Sequence, residues 1–177
     1  MSESPTTATA AATPAAGAAP AGSAAEQALA VDRMRRSSLG ALALLLVQAI
    51  LGMWAGLYAT IPDADQGRGV FASFGDALAH GPVSVATHAG FGMLVFLDSC
   101  VIVIFALTVR HTAVRVASVL GWLCIAGSAM SGASFVNNSN ANGASMTMAV
   151  LTFVAVACYA VNLYLLGGRR VQDTPTA

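Results

Sequence analysis

Four runs of apolar residues, at 39–61, 83–108, 113–136 and 145–167, constrain this chain more than any other feature it has. Each is long enough to cross a hydrocarbon core of about 30 Å at about 1.5 Å of helical rise per residue. Lipid offers no water to bond a free backbone amide or carbonyl, so a spanning segment of this kind must be helical. Composition agrees with that reading. Of 177 residues, 56% are hydrophobic and 9% charged, and the mean hydropathy is +0.72, whereas soluble domains carry about 25% charged residues. The expected fold is therefore all-α, a four-helix transmembrane bundle. The second run is slightly long for the core and is expected to tilt or protrude.

The first run follows Arg33, Arg35 and Arg36 and has the outline of a signal peptide, but at about 23 residues it exceeds the roughly 7–15 of a signal h-region. It is read as a retained first helix. Residues 1–32 are dominated by Ala, Pro, Thr and Ser, with almost no large apolar side chain before Leu29. Such a segment buries too little surface to offset its ordering entropy and is expected to be a disordered tail. The membrane domain is then 33–168, followed by a short tail at 169–177.

All eight basic residues are arginine. Arg33, Arg35 and Arg36 precede the first run, Arg110 and Arg115 lie between the second and third, and Arg169 and Arg170 follow the fourth, leaving only Arg68 on the other side. The positive-inside rule makes the arginine side cytoplasmic, with both termini inside, in a multi-pass protein of the cell (plasma) membrane. The arginine-only, alanine-rich usage points to a GC-rich bacterial genome. A net charge of zero gives no reason to expect a nucleic-acid partner. The partners expected are the lipid bilayer and another membrane protein.

Cys100, Cys124 and Cys158 all lie in apolar runs without a Cys-x-x-Cys spacing, so no disulfide framework or zinc site is expected. Gly52-x-x-x-Gly56, Gly127-x-x-x-Ser131 and Ser128-x-x-x-Gly132 place small residues where helices can approach closely. Packing within the bundle is the expectation, with homodimerisation as the alternative. "VFASFGDALAH", 70–80, reads as a short interfacial helix with Phe71, Phe74 and Leu78 toward the headgroups. Asn137-Asn138-Ser139 matches the glycosylation pattern by chance in a chain of this composition. No catalytic residue and no dedicated metal site is legible.

The residues that lipid disfavours carry the functional question. Counting along the second run by fours and threes puts Ser84, His88, Phe91, Val95, Asp98, Ile102 and Phe105 on one inward stripe. Counted from the cytoplasmic ends, Asp98 lies about 16 Å deep and Gln48 of the first run about 15 Å deep, so the two are expected to pair near the midplane. Asp98 then serves either as a proton or cation site or as a protonated group that fixes helix register. His88 falls nearer the outer boundary, at the depth of Tyr58, Thr60, Ser131, Ser134, Met146, Thr147 and Met148, with His80 at the mouth beside Gly81-Pro82. A neutral imidazole in such a pocket can ligate haem or a transition metal. Met146 and Met148 are two apart and do not share a helix face, which argues against a copper pair.

The segment "VQAILGMWAGLYATIP", a loop, then "GPVSVATHAGFGML" resembles haem A synthase and related cytochrome-oxidase assembly proteins, through Gln48, Leu51, Gly52 and His88. The resemblance covers about 60 residues. It implies a b-type haem with His88 as axial ligand, the second ligand coming from His80, Met146 or Met148. The fourth run reads "GASMTMAV" where the family supplies a second histidine. The chain is also similar to small four-helix membrane proteins of actinobacteria. Three functions stay open: an accessory, assembly or interaction subunit without catalysis; a haem protein; and a small proton-coupled carrier using Asp98.

Overall fold

The computed structural model describes residues 21–59, 67, 69–138 and 142–167. They form α1 (Ala21–Tyr58), α2 (Val70–Ala79), α3 (Val83–Thr108), α4 (Thr112–Asn137) and α5 (Asn142–Gly167). Four of the five are long and apolar enough to cross a membrane. The all-α four-helix bundle expected from the sequence is what the chain forms, and the chain is a multi-pass membrane protein.

The expected tail needs one correction. Residues 21–32 are helical and belong to α1, which runs for 38 residues, about 57 Å. Ala, Glu, Gln and Leu dominate this stretch and are strong helix formers, so it propagates a helix already anchored further on. Met34 and Ser38 are fully buried, and Asp32 and Arg36 pair at 2.9 Å across one turn. The rest of the expected tails, 1–20 and 169–177, lies outside the described residues, as do residue 168 and the polar loop 139–141.

The four long helices form a closed ring in which α1 packs on α3, α3 on α4, α4 on α5 and α5 back on α1. Sequential long helices run antiparallel. The α3–α4 connection is a tight turn, and Arg115 stabilises it by donating Nε to the Val109 carbonyl at 3.0 Å and a terminal nitrogen to that of Leu107 at 3.1 Å. These are carbonyls that the end of α3 leaves without helical partners. The core takes Met34, Ala41 and Leu45 from α1, Val95, Ile102 and Ala106 from α3, Cys124 and Ile125 from α4, and Ala155, Tyr159 and Leu166 from α5. Leu46, Ile50, Leu97, Ile104, Leu123 and Phe153 point outward, where a bilayer is as apolar as they are.

Small residues of α4 are used inside the bundle. A Cβ on Gly127 would come 3.0 Å from Leu151, and one on Gly132 would come 3.2 Å from the Met148 sulfur. Ser131 donates to the Ala144 carbonyl at 2.7 Å, and Ser128 reaches the Met148 carbonyl at 3.2 Å and the Thr152 hydroxyl at 3.1 Å. In α1 only Gly52 is used this way, since Gly56 has open space around it.

The short helix α2 lies across one end of α3 and α4. Ser73 and Ala77 are its buried face and Phe71 its most outward apolar side chain. Leu78 is also exposed, with one methyl 3.6 Å from where a Gly90 Cβ would stand. Asn137 holds α2 in place: its side-chain carbonyl accepts the Gly69 N–H at 2.9 Å and the Ser73 hydroxyl at 3.1 Å. Gly69, the residue before α2, has φ 94, a left-handed conformation that favours glycine.

Candidate functional site

An ideal helix repeats every 3.6 residues, not 3.5, and on α3 the difference matters. Its buried residues are Ser84, Val95, Ser99, Ile102 and Ala106. At 100° per residue Asp98 and Phe105 fall about 60–80° round the helix from Val95, whereas Ser99 and Ala106 fall within about 40° of it, so Ser99 and Ala106 occupy the inward centre where Asp98 and Phe105 were expected. Asp98 sits at the flank of that face and is half-buried. His88, also half-buried, stays on it.

Across from His88 stands Gln48. Its amide nitrogen donates to the His88 backbone carbonyl at 3.1 Å and lies 3.4 Å from His88 Nε2. A carbonyl only accepts, so the amide must turn its NH2 toward it, and Nε2 of the neutral ring is then the accepting nitrogen. The ring proton belongs on Nδ1. Both His88 Nδ1 and Gln48 Oε1 are shut off from solvent and have no hydrogen-bond partner among the described residues.

Two glycines make this contact possible. The His88 ring lies with Cε1 3.0 Å from the position of a Gly52 Cβ, and the Gln48 amide nitrogen lies 3.0 Å from that of a Gly92 Cβ. Gln48-x-x-x-Gly52 on α1 thus meets His88-x-x-x-Gly92 on α3, each polar side chain resting in the notch that the other helix leaves at its glycine. Sequence reasoning missed this pairing. Its signal was the same polar-x-x-x-Gly spacing on two neighbouring runs, read on α1 only as a small-residue motif.

The expected Asp98–Gln48 pair is not formed. Gln48 rests at Gly92, six residues and about 9 Å along the axis from Asp98. Depth was counted from Leu39 as the inner end of the first helix, whereas α1 continues well past it, so the register came out shifted. Asp98 lies instead at the level of Trp122, which stacks on Phe96 at 6.3 Å between ring centroids and donates to the Cys100 sulfur at 3.3 Å. Tyr159 of α5 is at the same level, 0% exposed, its ring against Gly121 and its hydroxyl without a partner among the described residues. Tyr159 is within electrostatic reach of Asp98. One turn away Asn162 donates to Ser118 at 2.9 Å, and Ser118 to the Val114 carbonyl at 2.8 Å.

The residues considered for a haem do not come together. His80 is 82% exposed at the end of α2, 3.6 Å from Asp76. Met146 is 67% exposed on the outside of α5, and Met148 turns its sulfur to Gly132 of α4. Tyr58 also faces outward, and Thr60 lies outside the described residues. Ser131 and Thr147 bond backbone carbonyls of α5, and Ser134 accepts from Asn138. His88 itself offers Nε2 to Gln48 with its ring edge against α1. With Nε2 engaged by Gln48 and the other candidates turned elsewhere, these residues are not arranged as a pair of axial haem ligands. The three cysteines are free, Cys124 and Cys158 buried and Cys100 half-buried. No family model, curated protein sequence or solved structure matches this chain.

Proposed function

We propose that this protein is a non-catalytic accessory or assembly subunit of the plasma membrane, with both termini on the cytoplasmic side. One observation carries the reading: the interior polar side chains join helices in pairs. Gln48 ties α1 to α3, Trp122 ties α4 to α3, Ser118, Ser128 and Ser131 tie α4 to α5, and Asn137 ties α4 to α2. Polar contacts arranged this way fix a single rigid frame in lipid, where each is worth about 0.6 kcal/mol on average. A frame of that kind suits a subunit that presents a fixed surface to another membrane protein. The orientation rests on the arginines, seven of which flank the same ends of the spans.

The test is native mass spectrometry of the chain released from its own membrane in mild detergent, with quantitative proteomics of a strain lacking it. A stoichiometric complex with one membrane protein, whose level falls when this chain is deleted, is the expected result. A solitary chain whose loss leaves the membrane proteome unchanged would overturn the proposal.

A second reading is favoured by Asp98, which forms no hydrogen bond or ion pair among the described residues and lies within electrostatic reach of Tyr159, whose hydroxyl is equally unbonded there. Intramembrane carboxyls of this kind mark ion or proton pathways. A proton-coupled carrier would show pH-driven flux in vesicles that Asp98→Asn abolishes, and flux equal in the two proteins would exclude it.

A further inference from the structure

At the arginine end of the bundle α1 overruns the α3–α4 turn and leaves a cavity of about 250 Å³ between them. Its wall is Glu26, Gln27 and Ala30 from α1, with Thr108 and Arg110 from the end of α3. Thr108 is the last residue of α3, and the exposed Leu107 just before it is apolar. The cavity therefore sits where the hydrocarbon gives way to the headgroup layer, which is roughly 5–7 Å deep on each side.

The charges on this wall are opposite and unjoined. Arg115 is occupied with the carbonyls of Leu107 and Val109, and Arg36 with Asp32. Arg110 and Glu26 form no ion pair among the described residues. Gln27 adds a side-chain amide nitrogen that is closed to solvent and has no hydrogen-bond partner among the described residues, a donor whose burial costs free energy until something accepts from it. Thr108 donates its hydroxyl proton to the Phe105 carbonyl at 2.7 Å, so its oxygen faces any ligand as an acceptor.

We propose that this cavity binds a phosphoethanolamine headgroup, the phosphate taken by Arg110 and the Gln27 amide and the ammonium by Glu26 and the Thr108 oxygen. A zwitterion with a primary ammonium answers every group on the wall. A phosphatidylglycerol headgroup leaves Glu26 facing a net anion. A choline headgroup carries a methylated nitrogen with no N–H to give. The source is the membrane lipid rather than the free compound, because acyl chains lying along the apolar exterior of α1 and α3 hold the headgroup at this depth.

The experiment is native mass spectrometry of the full chain in nanodiscs containing equal amounts of phosphatidylethanolamine, phosphatidylcholine and phosphatidylglycerol with the same acyl chains. Bound phosphatidylethanolamine is expected in about tenfold excess over the other two, the discrimination that one charged hydrogen bond confers. Arg110→Ala combined with Gln27→Ala should remove that lipid altogether. Glu26→Gln should keep a bound phospholipid but lose the preference for ethanolamine over glycerol. Glu26 and Arg110 are exposed and the Gln27 amide nitrogen has no bond among the described residues to lose, so thermal unfolding of the variants is expected to match the parent and shows that the bundle is intact. Free phosphoethanolamine in millimolar excess should not displace the lipid; displacement would assign the cavity to the soluble compound and overturn the lipid proposal. Equal retention of the three lipids, or a lipid profile that Arg110→Ala with Gln27→Ala leaves unchanged, would overturn the headgroup site itself.

Discussion

Gln48 and His88 hold α1 to α3 through a reciprocal fit: the Gln48 amide donates to the His88 carbonyl at 3.1 Å while each side chain lies at the other helix's glycine. The contact works because Gly52 and Gly92 bring the two backbones close. It also leaves a buried Nδ1 and a buried Oε1 unbonded, so its net contribution is modest. A double-mutant cycle with Gln48→Ala and His88→Ala, followed by reversible detergent unfolding, should give a coupling of about 0.6–1.7 kcal/mol, the range found for hydrogen bonds between membrane helices. Strict additivity of the two substitutions would show that the pair does not tie the helices.

Gly121 and Gly56 make an opposed pair of substitutions. A Cβ on Gly121 would stand 3.1 Å from Tyr159 Cζ and 3.4 Å from Cys158 Cβ, and Tyr159 is fully buried with nowhere to retreat. Gly121→Ala should destabilise by about 1–3 kcal/mol, the usual consequence of overpacking. Gly56 has nothing within 4 Å, so Gly56→Ala should be neutral or stabilise by about 0.5–1 kcal/mol through lower backbone entropy in the unfolded helix. The same unfolding assay ranks them.

Asn137 fastens α2 to the bundle through one oxygen that accepts from both Gly69 and Ser73. Asn137→Ala removes both bonds, and α2 should loosen without the bundle opening. Hydrogen exchange at the Gly69 to Ser73 amides is expected to rise about tenfold or more, for a loss of about 1–2 kcal/mol of local stability, while exchange in the middle of α4 stays the same.

Ser118 accepts from Asn162 in a spot where both residues are 0% exposed. Ser118→Ala strands the Asn162 amide in the interior, which should cost about 1–3 kcal/mol. Among the described residues Thr147 bonds only its own helix, to Gly143, and it is exposed. Thr147→Ala should therefore change stability by less than about 0.5 kcal/mol.

A haemin titration checks the geometry at His88 from another side. With Nε2 accepting from Gln48 and the ring edge lying on Gly52, added haemin should give no Soret band that His88→Ala abolishes. The variant His111→Ala, in the α3–α4 turn, serves as the control. A band lost only with His88→Ala would mean that the Gln48 contact yields to iron.

Much of this architecture was legible before any coordinates. Runs of more than 20 apolar residues admit one backbone solution in lipid, so the four helices, and the approximate ends of all but the first, followed from length and hydropathy. The short helix at 70–79 was readable from its phenylalanine and leucine spacing, and the small residues of α4 from their spacing of four. What length and spacing left open was which polar groups meet. Asp98 fell off the inward centre because the ten residues that separate it from His88 leave it about 80° round the helix at 3.6 residues per turn. Gln48 was matched to the wrong partner because alanine-rich residues 21–32 carry α1 beyond its last large apolar side chain, and hydropathy does not mark that end. Asn137 matched a surface motif, yet its task is to hold α2, a contact 68 residues distant from Gly69 in the chain. A helix in lipid is dictated locally, by backbone hydrogen bonds that every residue must satisfy within its own segment. The register between helices is set by side chains fitting into notches on a neighbour, and that information exists only once the helices are side by side.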